Sequence, residues 1–123
     1  MKAIPIMRCT DMRKSLFFYT HVLDFHVKHP GTTPDEPVIT LVNGNAEIQL
    51  SIMDGLFGNP VNIRVDDIDR LFNKYLLRGL DTSGKKESPV HQGPLDQTWG
   101  MREFYVNDPD GNTLRFCMPA LKS

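Results

Sequence analysis

The stretch WGMREFYVNDPDGNTLRF, residues 99–116, decides the fold of this chain. It contains a strand pattern in MREFYVN (101–107), then DPDGN (108–112), then a second strand pattern that starts at Thr113. The proline and glycine of DPDGN favour a tight turn, because proline restricts φ and glycine accepts a positive φ. The sequence therefore predicts a β-hairpin in this part of the chain.

Upstream of this hairpin, the chain shows one order of elements twice. The first half places an apolar strand at residues 3–9, a helix at 10–23 and then three strand candidates, the last two joined by an Asn-Gly turn. The second half starts again with a strand at 59–65 and a helix. A strand near residues 82–87 and the hairpin follow that helix.

The repeated order predicts an internal duplication of a βαβββ unit. Laying residue 11 on residue 67 aligns Arg8 with Arg64, Met12 with Ile68 and Tyr19 with Tyr75. Such a match is rarely accidental when the element order agrees as well. We therefore predict a single domain built from a first module at residues 1–57 and a second module at residues 58–123.

Composition excludes several classes of protein. The chain has 123 residues, the length of one domain, and its 40% hydrophobic and 24% charged residues indicate a globular protein. The formal net charge is −1 and charges of both signs are mixed, so a nucleic-acid surface is not expected. No apolar run has the length of a membrane span, and two cysteines do not make a disulfide framework. We expect a reduced, cytoplasmic protein.

Two βαβββ units with DPDGN in the last hairpin resemble the vicinal oxygen chelate superfamily, which includes glyoxalase I, extradiol dioxygenases and the fosfomycin- and bleomycin-resistance proteins. Residues 3–25 resemble the opening strand and helix of that family, and residues 99–116 resemble the bleomycin-resistance signature in particular. The resemblance implies an α+β fold of two βαβββ modules. It also implies a homodimer, with a first strand exchanged between partners at a proline that matches Pro5.

The resemblance also indicates where relatives would hold a metal. Those positions fall here on Ile4, Gln49, Pro60 and Arg115. Isoleucine and proline have no ligand atom on the side chain, glutamine is a poor ligand for zinc, iron or manganese, and arginine is a cation. We therefore expect neither a metal nor a cofactor. No triad, phosphate loop or dinucleotide fingerprint is present, so no catalytic residue is assigned.

A ligand cavity is expected instead on the strand faces that point inward in the family. Strand alternation, phased by those positions, and the match of Trp99 to the signature tryptophan select the candidates. The candidate ligand-binding residues are Trp99, Ser51, Arg115, Gln49, Asn62, Glu103, Tyr105 and Glu47.

Two of these candidates have an alternative role. Arg115 either forms a structural salt bridge with Glu47 or Glu103, or grips a carboxylate or another planar polar group of a ligand. Trp99 either anchors the core or stacks on a ligand.

The resemblance implies a metal-free protein that sequesters an antibiotic, or a similar aromatic and polar ligand, in a cleft at the dimer interface without turnover. In those relatives, aromatic side chains stack on the ligand and acidic residues meet its cationic tail. Asn62 and Gln49 replace two of the aromatic residues, so a glycopeptide antibiotic is one candidate among several ligands. The alternatives are a lyase or dioxygenase of the same superfamily with a non-standard site, and a dimeric module without a small ligand.

Overall fold

The computed structural model describes residues 1–82 and 93–121, which form two compact units. The first unit contains Met1–Asn59 together with Asn107–Thr113, and the second contains Pro60–Val106 together with Leu114 and the residues after it. Each unit holds one four-stranded sheet and one helix. Within the described residues, no helix has both the length and the apolar character that a membrane crossing requires.

The first sheet has the strand order β1-β4-β3-β2. Its strands are β1 (Ile6–Arg8), β2 (His26–Val27), β3 (Val38–Asn43) and β4 (Ala46–Ser51). β1 runs parallel to β4, and β3 and β4 are antiparallel, joined by the predicted turn in which Gly44 has φ of 57°. A positive φ suits glycine, since it has no Cβ to clash with the backbone.

The helix of the first unit begins and ends at residues with a clear local role. α1 (Met12–Phe17) begins after Asp11, whose carboxylate accepts a hydrogen bond from the Lys14 N–H. A wider π-helical turn continues it over Phe18–Val22. Asp24 follows with φ of 64°, a left-handed conformation that costs a residue with a Cβ roughly 1 kcal/mol.

The second sheet has the strand order β5-β8-β7-β6. Its strands are β5 (Pro60–Arg64), β6 (Leu95–Asp96), β7 (Met101–Asn107) and β8 (Thr113–Pro119), and α2 (Ile68–Leu77) follows β5. The two βαβββ modules predicted from the sequence are therefore confirmed. The strand expected near residues 82–87 lies, after Thr82, outside the described residues. The short β6 pairs with β7, and no apolar periodicity in the sequence marks it as a strand.

The two units have equivalent aromatic cores beneath their helices. Tyr19 of the first unit and Tyr75 of the second, which the duplication aligns, are both buried. In the second unit the Tyr75 ring lies 6.3 Å from the Phe104 ring and 5.5 Å from the Phe116 ring. Edge contacts of this kind add to the stabilisation from apolar burial. Both helices therefore fix one face of their own sheet as a core face.

Candidate ligand-binding site

Each sheet has one face packed against its helix and an opposite face, here called the helix-distal face. In β4, Ile48 and Leu50 are buried in the core while Gln49 is only half-buried. In β5, Asn62 is exposed between two half-buried apolar residues. Because successive side chains of a strand point to opposite faces, the candidate strand residues lie on the helix-distal faces.

Four candidate residues of the second unit contact one another and are here called the Trp99 cluster: Trp99, Glu103, Tyr105 and Arg115. The Trp99 indole N–H donates to the Glu103 carboxylate over 3.3 Å. The Tyr105 hydroxyl donates to the other oxygen of that carboxylate over 3.2 Å. The Arg115 guanidinium lies over the Tyr105 ring, 4.9 Å from its centroid. β7 and β8 are neighbours in the sheet, so the backbone sets this arrangement.

Burial differs sharply within the Trp99 cluster. Glu103 is 3% exposed, whereas Trp99 is 59% exposed. Trp99 is therefore not a core residue of this chain, and its indole ring offers a flat apolar surface to solvent. Burial, together with the negative charge of Glu103, raises the pKa of Tyr105. The hydroxyl consequently keeps its proton and remains a hydrogen-bond donor to Glu103.

Arg115 has an aromatic neighbour, and within the described residues neither Glu47 nor Glu103 forms a salt bridge with it. Its side chain is half-buried on β8, with the guanidinium over Tyr105. None of the ion pairs formed within residues 1–82 and 93–121 includes Arg115. The described part of the chain thus supports the reading in which the N–H groups of Arg115 are available to a ligand.

Glu47, on the helix-distal face of the first unit, is neutralised by two lysines. Its carboxylate accepts hydrogen bonds from Lys2 over 2.9 Å and from Lys28 over 3.2 Å. These bonds lower the pKa of Glu47 below its ordinary value, with Lys2 the larger influence. Arg115 was one partner considered for Glu47, but the observed partners are lysines 45 and 19 residues away in sequence, which no local motif marks.

The other two candidates of the first unit are held by contacts within it. The Gln49 amide donates to the Thr40 hydroxyl over 3.4 Å. The Ser51 side-chain oxygen is buried and accepts from the N–H groups of Met53, at 3.1 Å, and Asp54, at 2.8 Å. Ser51 therefore shapes the turn after β4.

The pattern of the sequence did not single out Phe57 as a site residue. The Arg8 guanidinium lies over the Phe57 ring at 5.3 Å and donates to the Met53 carbonyl over 3.0 Å. Within the described residues, the buried Nε of Arg8 has no hydrogen-bond partner. The apolar residues of the linker 52–57 were the sequence signal that could have marked this region. In the structure these side chains are exposed: Ile52, Met53, Leu56 and Phe57.

The residues at the positions where relatives would hold a metal do not fit one. Arg115 and Gln49 offer a cation and a weak amide ligand, and Ile4 and Pro60 offer no donor. Elsewhere in residues 1–82 and 93–121, His, Cys, Asp and Glu side chains form no group of three or more that could hold one ion.

A separate groove of about 530 Å³ opens on the α2 side of the second sheet. It is lined by Asp66, Asp67, Asp69, Asp96, Arg102, Met118, Pro119 and Leu121. Arg102 pairs with Asp69 at 2.8 Å and with Asp96 at 3.2 Å, which lowers the pKa of Asp69. By strand alternation this groove lies on the opposite face of the sheet from Arg115, so it is distinct from the Trp99 cluster.

Comparison with known proteins places this geometry in a family. The model of the Glyoxalase/Bleomycin resistance protein/Dioxygenase superfamily matches residues 4–116. No curated protein sequence matches the chain.

Several solved structures share the architecture over nearly the whole chain. A bleomycin-binding protein complexed with bleomycin is 22% identical, with a TM-score of 0.78 over 98% of this chain and 99% of that one. The bleomycin resistance determinant encoded on transposon Tn5 is also 22% identical, with a TM-score of 0.77 and the same coverage. The Streptomyces verticillus bleomycin-binding protein complexed with copper(II)-bleomycin is 23% identical, with a TM-score of 0.72 over 99% and 97% of the chains. At these identities the similarity establishes a common fold.

Proposed function

This chain belongs to the Glyoxalase/Bleomycin resistance protein/Dioxygenase superfamily, and from this membership we propose that it is a metal-free small-molecule binding protein of the bleomycin-resistance type. It sequesters an antibiotic, or a similar ligand with aromatic and polar groups, without turnover. The ligand lies in a cleft at the interface of a homodimer. The similarity to bleomycin-binding proteins supports a binding function of this kind.

The observation that carries this proposal is the Trp99 cluster. An exposed indole ring that is fixed by a hydrogen bond to a buried carboxylate can stack on a planar ligand with little loss of its own freedom. Tyr105 and Arg115 add polar and cationic groups beside it. Aromatic stacking next to a few placed polar groups is typical of small-molecule sites.

The donor set argues for binding without a metal. Glyoxalase-type and dioxygenase-type chemistry uses a metal ion as the electrophile. Arg115 on β8 and Gln49 on β4 provide no suitable ligands for that metal. A lyase or dioxygenase with a non-standard site remains the alternative.

A homodimer is supported by the apolar linker 52–57. Leu56 is 80% exposed and Phe57 55% exposed in the single chain, and soluble monomers rarely expose contiguous apolar patches. A second copy of the chain is the occupant that the family architecture favours. β1 pairs with β4, and exchange of this first strand between partners at Pro5, which the resemblance implies, is part of the proposed dimer.

Thermal-shift screening followed by mass spectrometry tests the proposal. Bleomycin, small aromatic carboxylates and aromatic amides are added, and a ligand at 100-fold its dissociation constant stabilises the protein by about 2.7 kcal/mol. Each stabilising ligand is then recovered, and its molecular mass is measured by mass spectrometry. Recovery of the unchanged ligand supports sequestration. A changed mass, or stoichiometric metal in the purified protein, indicates the enzyme alternative, and no stabilisation by any compound indicates a module without a small ligand.

A further inference from the structure

We propose that the ligand of the Trp99 cluster carries a planar anionic group, an aromatic carboxylate, whose oxygens bind the Arg115 guanidinium while its ring stacks on Trp99. This inference rests on the proposed binding function and specifies the charge of the ligand. It departs from the cationic tail that the resemblance to bleomycin-resistance proteins implies.

The first argument is the way in which Arg115 is held. The guanidinium lies over the Tyr105 ring, 4.9 Å from its centroid, and this cation–π contact does not use the N–H groups in a hydrogen bond. No ion pair within the described residues uses them. A planar carboxylate matches two of these donors in parallel, and the arginine stays charged at any accessible pH.

The second argument is that the carboxylate of the cluster is already occupied. One oxygen of Glu103 accepts from the Trp99 indole and the other accepts from the Tyr105 hydroxyl. Glu103 is also 3% exposed. To reach this charge, a cationic ligand would have to enter a buried position and share a carboxylate that already accepts from two donors. Glu103 therefore orients the two aromatic side chains and offers little attraction to a cation.

The third argument is the charge of the surrounding surface. On the helix-distal face of the second sheet, the exposed Arg64 of β5 adds another positive charge, and β5 is the neighbour of β8. A surface with an excess of one charge raises the local concentration of ligands of the opposite charge.

The test uses three probes of one shape, 2-naphthoate, 2-naphthamide and 2-naphthylmethylammonium, with isothermal titration calorimetry at pH 7. We expect 2-naphthoate to bind about tenfold more tightly than the amide, as expected for a charge-assisted hydrogen bond, and the ammonium probe to bind most weakly. Arg115→Gln should remove the preference for the carboxylate. Arg70→Gln, which removes the same charge from the exposed surface of α2, should leave it intact.

The outcomes separate this inference from the proposed function. Equal binding of the acid and the amide, or tighter binding of the ammonium probe or of bleomycin, overturns the anionic ligand and leaves small-molecule binding in place. If neither the three probes nor bleomycin binds, both proposals fail. Arg115→Lys guards against a folding defect in Arg115→Gln. Lysine keeps the positive charge but lacks the paired N–H donors of the guanidinium, so the preference for the acid should become smaller without being lost.

Discussion

Trp99 is exposed although a hydrogen bond fixes its ring, and this combination is the reason that we propose it as a ligand contact. A tryptophan with 59% of its surface exposed contributes little to the core, yet its indole is tied to Glu103. We predict that Trp99→Ala weakens ligand binding by about 1 kcal/mol or more, with little change in melting temperature. Trp99→Phe is the control, because it keeps a flat ring. A large loss of melting temperature with unchanged affinity would show a structural role.

A substitution at Arg115 tests whether this position can be converted into a metal site. Arg115→Glu replaces a cation with a carboxylate that could bind a metal, but Ile4, Gln49 and Pro60 still supply no strong ligand. We predict that this variant takes up no stoichiometric zinc and loses affinity for its ligand by roughly 1.5–3 kcal/mol. Elemental analysis after dialysis against zinc measures the first effect. One zinc per chain would contradict the argument.

Glu47 makes stability depend on pH in a direction that its lysine partners fix. Because Lys2 and Lys28 lower the pKa of Glu47 in the folded protein, the ion pairs stabilise the protein fully above the pKa of the unfolded chain, about 4.3. That stabilisation is lost as pH falls through the lower folded pKa.

The corresponding experiment is urea unfolding from pH 7 to pH 3. We predict that Glu47→Gln is less stable than the parent at pH 7 and that the difference shrinks toward pH 3. Glu36→Gln, on an exposed turn, is the control and should track the parent. A difference that stays constant with pH would mean that Glu47 acts through packing alone.

At the scale of elements, the DPDGN turn also holds distant segments of the first unit together through side-chain hydrogen bonds, an arrangement here called the clamp. The Asp108 carboxylate accepts from the Tyr19 hydroxyl of the α1 segment over 2.8 Å and from the Asn112 N–H over 2.9 Å. The Asn112 side chain donates to the Arg8 carbonyl and accepts from the Asn59 N–H, each over 2.9 Å. The turn thus joins the end of β1 to Asn59 within the first unit.

Asn112→Ala should therefore destabilise the protein far more than an ordinary turn substitution. It removes several buried hydrogen bonds and leaves the Arg8 carbonyl and the Asn59 N–H without that partner, for which we predict a loss of about 3 kcal/mol. Asn45→Ala, in the exposed turn between β3 and β4, should change stability by less than about 0.5 kcal/mol. Equal effects in chemical denaturation would refute the clamp.

Sequence reasoning found the elements because their signals are local. Period-two alternation assigned Glu103, Tyr105 and Arg115 to one face, and Asn43-Gly44 marked a hairpin that the structure contains. It could not find the partners of Glu47, since two flexible lysines distant in sequence leave no periodic trace. It also recognised DPDGN only as a turn, because the bond from Tyr19 spans 89 residues.

At the scale of the whole molecule, the apolar linker 52–57 indicates self-association. We predict a homodimer with twice the 14.0 kDa mass of the chain, measured by light scattering at micromolar concentration. Leu56→Asp should shift the population toward the monomer, because it places a charge in an apolar contact. Leu77→Asp, at the exposed end of α2, is the matched control. A parent protein that is monomeric at these concentrations would remove the basis for the dimer.

The first unit is built from two separate stretches of the chain, so it cannot be completed until the second stretch has been synthesised. Residues 107–113 belong to that unit although they follow most of the second one. During synthesis, residues 1–59 are therefore made before the turn that bonds to Arg8 and Tyr19, and the first unit is complete only after residues 107–113 have been added. Domains generally fold as units from the amino terminus, but here the first unit is completed by residues that follow most of the second unit.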